Sequence, residues 1–240
     1  MKDLRLPLKF SREIDAFIRS LKAIYQTDLV SVILYGSAAS GEFITAHSNL
    51  NILVILKSTQ LAVLKLASGA VKKFKHLTPL FLTQEYIRSS TDIFPIEFLD
   101  LKENYTLLEG MDVLKEIQVD PKNLRFQCEQ ELRAKLLNLR QLYLKLNHRP
   151  AQLQELLFES FNPILHVLRN VLRLKGVRPP YQKEKLLKEL AVHLKIDCAH
   201  LENILAAKLK KIKLKKVEIE GLFSVLVDNL DKITQDVDAL

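Results

Sequence analysis

No stretch of this 240-residue chain approaches the roughly 18 uncharged apolar residues that a helical membrane span requires, which excludes an integral membrane protein of that kind. Cysteine is scarce. Cys128 and Cys198 both fall in segments of helical texture, without a CxxC spacing or a histidine cluster beside them, so neither a disulfide scaffold nor a zinc module is expected. The six histidines show no pairing at metal-binding helical spacing. The beginning of the chain, MKDLRLPLKFSREID, is charged from its second residue and has no apolar h-region, so a signal peptide is not expected and a cytoplasmic location is. Internal repeats, low-complexity tracts and a Gly/Ser-rich linker are also missing, so any two domains follow each other closely.

What is present is a large apolar fraction, 48%, enough for a substantial core. Ile14, Phe17, Ile18, Leu21, Ile24 and Tyr25 recur at three- and four-residue steps and predict an amphipathic helix over about 11–26. Residues 29–35 and 50–56 are continuous Leu/Val/Ile runs of the length of buried strands. A helix rich in Leu, Ala and Lys is expected over 59–75. Two short strands are expected at 79–82 and 95–101, with a helical turn near 84–90 between them, the prolines marking edges or strand starts. From Asp120-Pro121 onward the texture becomes helical throughout, with breaks at 148–150, 176–180, near 197 and around 213–221. The expected fold is therefore α+β: a small mixed β-sheet domain over 1–118, followed by an all-α bundle of four or five helices over 119–240.

The charge follows the same division. Residues 1–118 hold 14 Lys/Arg against 13 Asp/Glu, and residues 119–240 hold 22 against 15, so the net +8 belongs mainly to the second part. Its densest run is Lys208–Lys216, KLKKIKLKK. A helix carrying these lysines would present a basic face to nucleic-acid phosphates or an acidic partner, but no aromatic side chain is interleaved to stack on bases, which favours a solvated surface. Leucines at 136, 137, 139, 142, 144 and 146, and again from 165 to 174, make wide apolar faces for a bundle core. Any surplus of that surface could serve a homodimer.

The segment with chemical content lies between the first two strands. Gly36 lets a backbone approach a ligand closely, Ser37 offers a hydroxyl and an amide, and Gly41 helps reverse the chain, a combination suited to phosphates. After Ser48, Asn49 and Asn51 stand two apart on a strand, so both amides project from one face, toward the Gly36-Ser37 turn if the two strands pair.

Gly36, Ser37, Gly41 and Ser48, between two strands, resemble the signature of the nucleotidyltransferase superfamily of DNA polymerase beta type, including the antibiotic and minimal nucleotidyltransferases. The resemblance covers residues 29 to about 118. It implies a nucleotide-binding cleft for an ATP-like ligand, with two Mg²⁺ held by two aspartates and a third carboxylate on a later strand. Here the two aspartate positions are Asn49 and Asn51, and the third position falls on Glu97, with Asp100 as a weaker candidate. The basic residue that often follows the Gly-Ser pair is replaced by Ser40. An amide oxygen cannot replace a carboxylate in charge, so Mg²⁺ is expected only on the nucleotide's own phosphates, and transfer is expected to be lost or weak. Two other readings stay open: an active Mg-dependent transferase that moves a nucleoside monophosphate to a hydroxyl, and an interaction protein with a relic pocket. His and Arg spacing does not support a nuclease.

Overall fold

The three- and four-residue apolar spacing near the start of the chain forms α1 (Leu8–Tyr25) in a computed structural model that describes residues 6–40 and 50–240. Phe10, Ile14, Phe17, Ile18, Leu21 and Tyr25 are its buried stripe. A 3-10 turn leads into β1 (Leu29–Tyr35), followed by the one-turn helix α2 (Ser37–Ser40) and then β2 (Leu50–Leu56). Both strands coincide with the two apolar runs, because a strand covered on both faces needs no polar alternation. Ile52, Leu53, Val54, Ile55 and Leu56 are at most 1% exposed, and each such burial stabilises by about 1.5–3 kcal/mol.

The expected helix over 59–75 is two helices, α3 (Leu61–Leu66) and α4 (Ser68–Lys73), divided at Ala67. Next come β3 (Leu77–Thr83), α5 (Gln84–Ser89), α6 (Pro95–Glu103) and β4 (Tyr105–Gly110). Thr83 caps α5 by accepting a hydrogen bond from the Tyr86 amide at 3.0 Å. The strand expected at 95–101 is overturned, since these residues form α6. Pro95 at its first position supplies a helix-compatible φ and no amide to satisfy, and Pro95, Phe98 and Leu101 are buried at three-residue steps. The strand that completes the sheet is β4, which composition alone did not mark.

The sheet order is β3-β2-β1-β4, with β1 antiparallel to both β2 and β4, and β2 parallel to β3. One face carries Val32, Leu34, Ile52 and Val54 against α1 and α4. The other carries Ile33, Leu53 and Ile55 against Ile87 of α5, Phe98 and Leu101 of α6, and Val113, Leu114 and Ile117. These elements make the first of two compact units, 1–119 and 120–240.

The second unit consists of α7 (Pro121–Leu146), α8 (Pro150–Leu174), α9 (Lys183–Leu194), α10 (Ala199–Lys208) and α11 (Lys216–Asp238). Asp120 caps α7 through the Lys122 amide at 2.8 Å, with Pro121 at the first helical position. Phe161, Ile164 and Leu157 of α8 and Leu132 of α7 are fully buried at the centre. No single helix carries the lysine run: Lys208 ends α10, Lys216 begins α11, and 209–215 connect them, with Lys210 at φ +59°. Lys208 itself donates to the Phe158 carbonyl, and burial, with Lys183 nearby, pushes its ammonium pKa down. No helix of the described residues is long and apolar enough to cross a membrane.

Candidate functional site

The site is built where β1 ends and β2 begins. Because β1 and β2 are antiparallel, Tyr35 pairs with Asn51, and the neighbouring ladders extend this rank to Tyr105 on β4 and Thr78 on β3. Side chains paired across a sheet share a face, so Thr78, Asn51, Tyr35 and Tyr105 lie in one row. Tyr35 and Tyr105 pack beside Ile33 and Leu53, which places the row on the face that α5 and α6 cover.

Gly36 turns the chain out of β1 at φ +75°, a conformation that a side chain resists. Its amide donates to the Asn104 carbonyl at 3.2 Å, and its carbonyl accepts from Ala39 at 3.0 Å. A Cβ at Gly36 would stand 3.2 Å from the Asn51 amide nitrogen. The Asn51 side chain therefore lies directly against the turn. Asn51 is half-buried, so its amide is available at the mouth of the turn without being free in bulk water.

The structure thus brings together Gly36 and Asn51, with Ser37 beginning α2 at the same turn. Gly41, Ser48 and Asn49 lie outside the described residues. Glu97 is not on a strand beside Asn51. It stands exposed in the first turn of α6, where a carboxylate complements the helix dipole, while the neighbouring Phe98 is buried against the sheet. Asp100 is on the same helix.

Residue patterns did not single out Tyr35, Tyr105 or Asp112. The Tyr105 hydroxyl donates to both carboxylate oxygens of Asp112, at 2.8 and 2.9 Å. Burial, then this hydrogen bond and the adjacent negative charge, push the Tyr105 phenol up to about 12. Burial also raises the Tyr35 phenol. Both rings are therefore neutral hydroxyls at physiological pH. The signal for Tyr35 was its place next to Gly36. Tyr105 became meaningful only once β4 was in the sheet.

Apart from the Asp112 carboxylate that Tyr105 engages, this donor set is neutral where a two-ion phosphoryl-transfer site is anionic. Paired divalent ions about 4 Å apart need several carboxylates to offset their repulsion. At the described positions of the turn the groups are an amide, a threonine and two phenols, and no group of three or more His, Cys, Asp or Glu among the described residues is arranged to hold a metal ion. The described residues do not fit a protein-held pair of Mg²⁺ ions.

Neither a family model nor a curated protein sequence matches the chain. Among solved structures, its fold matches the crystal structure of spectinomycin adenyltransferase AAD(9) from Enterococcus faecialis with ATP and spectinomycin. The TM-score is 0.55 at 14% identity, over 90% of this chain and 98% of that one. At such identity the likeness is one of fold, and a fold hosts many chemistries. The chain shares the fold of that structure: a small mixed sheet with its helices, followed by a helical C-terminal part.

Proposed function

We propose that this protein binds an ATP-like nucleotide at the Gly36 turn, and that the transfer chemistry of its fold has been lost or is very weak, so that it acts by binding or assembly. The observation that carries this reading is the Asn51 amide seated against Gly36, on the strand position where the resemblance implies a metal-binding aspartate. The turn still offers what phosphates need, namely a backbone that can be approached closely at Gly36 and the serine that follows it. The amide at 51 can hydrogen-bond to a ligand, but it lacks the charge to anchor a divalent ion and cannot accept a proton as a base. The neighbouring structure was solved with ATP, which supports a nucleotide as the ligand class. Any Mg²⁺ would arrive on the nucleotide's own phosphates, since that ion keeps several waters and asks for few protein ligands.

Two measurements test this reading on the intact chain. Calorimetric titration with ATP and Mg²⁺ is expected to show saturable binding, and transfer of label from radiolabelled ATP, with Mg²⁺ or Mn²⁺, is expected to stay at background. Robust turnover that disappears in Glu97→Gln would overturn the loss of activity and restore Glu97 as a working carboxylate. Absence of binding by any nucleotide would leave the turn a relic. Joint restoration of Asn49→Asp and Asn51→Asp is expected to raise Mg²⁺ affinity at least about tenfold, because two charges return to a site whose walls persist.

A further inference from the structure

The second unit contains a feature that the nucleotide site does not use. Helices α7 and α11 run antiparallel and are joined by a ladder of ion pairs: Arg125 and Arg133 to Asp238, at 3.9 and 3.2 Å, then Arg140 to Asp231 at 3.0 Å. Beyond Arg140 the ladder stops. On the next turn α7 presents Tyr143 and Leu144, while α11 continues to present acidic and polar groups at four-residue steps: Asp228, Ser224 and Glu220. Between them lies an open cavity of about 310 Å³ with a mostly apolar lining.

Its floor is aromatic. The Tyr143 and Phe223 rings are stacked, with centroids 5.1 Å apart and planes 18° from parallel. Phe223 is buried and fixed, Tyr143 is half-buried, and Leu144 is 76% exposed at the rim. Two carboxylates thus flank an aromatic and aliphatic cavity, and the one arginine in its wall already faces Asp231. Each earlier rung of the seam has a cation from α7 opposite the acid of α11. At this rung the cation is missing and space is present.

We propose that this cavity is a binding site for a small organic cation, an ammonium or guanidinium group carried on a flat or cyclic apolar body. The apolar body rests on Tyr143, whose ring is stacked on the buried Phe223, and an aromatic face also attracts positive charge. Glu220 and Asp228 stand about 12 Å apart along α11, at opposite ends of the cavity, so the cationic head pairs with one of them and supplies there the charge that α7 omits. The volume suits a ligand at the small end of the range for such sites. The chain as a whole carries +8, so attraction of a cation here is local and does not reflect the overall charge. This inference stands apart from the nucleotide reading, because every residue in it belongs to α7 and α11.

The test uses the intact protein and a matched probe series: benzylammonium, neutral benzyl alcohol and anionic benzoate, followed by nitrogen-15 chemical shifts. Benzylammonium is expected to give saturable shifts centred on Tyr143 and Ser224, benzyl alcohol to bind at least about fivefold more weakly, and benzoate to give no saturation. The double change Glu220→Gln and Asp228→Asn is expected to erase the preference for the cation. Leu144→Lys places a cation at the exposed rim and is expected to abolish binding of benzylammonium, and Ser224→Trp, also at an exposed position, should do so by filling the cavity. Equal binding of the alcohol, shifts centred elsewhere, no saturation, or wild-type affinity in folded Leu144→Lys and Ser224→Trp would each overturn the proposal.

Discussion

The two units solve the problem of placing polar groups in opposite ways. In the α/β unit the strands are covered on both faces, and at the end of the sheet where Asn51 and Tyr35 pair, polar groups gather in a row that is neutral but for the Asp112 carboxylate held by Tyr105. In the helical unit the arrangement is charged and linear: Arg125, Arg133 and Arg140 of α7 meet Asp238 and Asp231 of α11 along one seam. The first arrangement rests on close backbone geometry, which tolerates almost no added atom. The second rests on long exposed side chains that can rearrange in water. Substitutions should therefore cost far more at the sheet than along the seam.

The sharpest form of this contrast is the same substitution made once in each unit. Gly110 ends β4 at φ +80°, and a Cβ there would lie 2.1 Å from the Val30 carbonyl oxygen, which is backbone and cannot move aside. Gly110→Ala is expected to destabilise by about 3 kcal/mol or more, read as a lower midpoint in urea. Gly221 lies inside α11, where a Cβ would meet nothing within 4 Å. Gly221→Ala is expected to stabilise by about 0.5–1 kcal/mol through helix propensity alone. Equal signs for the two variants would break the comparison.

A second, smaller effect sharpens it within the sheet. Tyr105→Phe removes the donor to both oxygens of Asp112 and leaves that half-buried carboxylate without this partner, at a cost of about 2 kcal/mol near neutral pH. The phenol's pKa is raised in the folded protein to about 12, so its contribution is complete below the ordinary value near 10 and fades as pH rises toward 12. Urea midpoints of the two proteins are expected to stay apart up to about pH 10 and to converge above it.

These residues also show which features could be read in advance. The two central strands were legible because a doubly covered strand has to be a continuous Leu/Val/Ile run, and α1 because its one-sided burial imposes a helical period. The apolar residues of 95–101 fit a strand and a helix alike over so short a span, and Pro95 decided for the helix by serving as its first residue. Missing α6 meant missing β4, and with it Tyr105 and Asp112, whose hydrogen bond joins residues seven apart by tertiary folding. At the site, the approach of Gly36 and Asn51 followed from strand alternation and antiparallel pairing. The expected strand position of Glu97 carried no such constraint and was not found. In the helical unit, residue types alone could show basic excess but not the register in which Arg140 meets Asp231 and Tyr143 meets Phe223.

The smallest expected effect belongs to the seam itself. Glu129 accepts hydrogen bonds from Arg133 Nε at 2.7 Å and Arg125 Nη1 at 2.9 Å, one turn before and after it on α7. The bond from Arg133 is the largest cause that holds its pKa below the ordinary value; burial opposes it, and the bond from Arg125 and the charges of both arginines add to the lowering. A depressed carboxyl pKa stabilises the folded state above the unfolded value, near 4.3, and that contribution is lost as pH falls through the folded value. Because Arg133 is exposed and Arg125 partly so, solvent screens the pairs and the gain at pH 7 is expected to stay below about 1 kcal/mol. Glu129→Gln should therefore lower the urea midpoint slightly at pH 7, less so in 1 M salt, and the difference should shrink as pH drops below about 4.3. A loss as large as that of Gly110→Ala would mean that the helical seam depends on its charges as strictly as the sheet depends on its backbone.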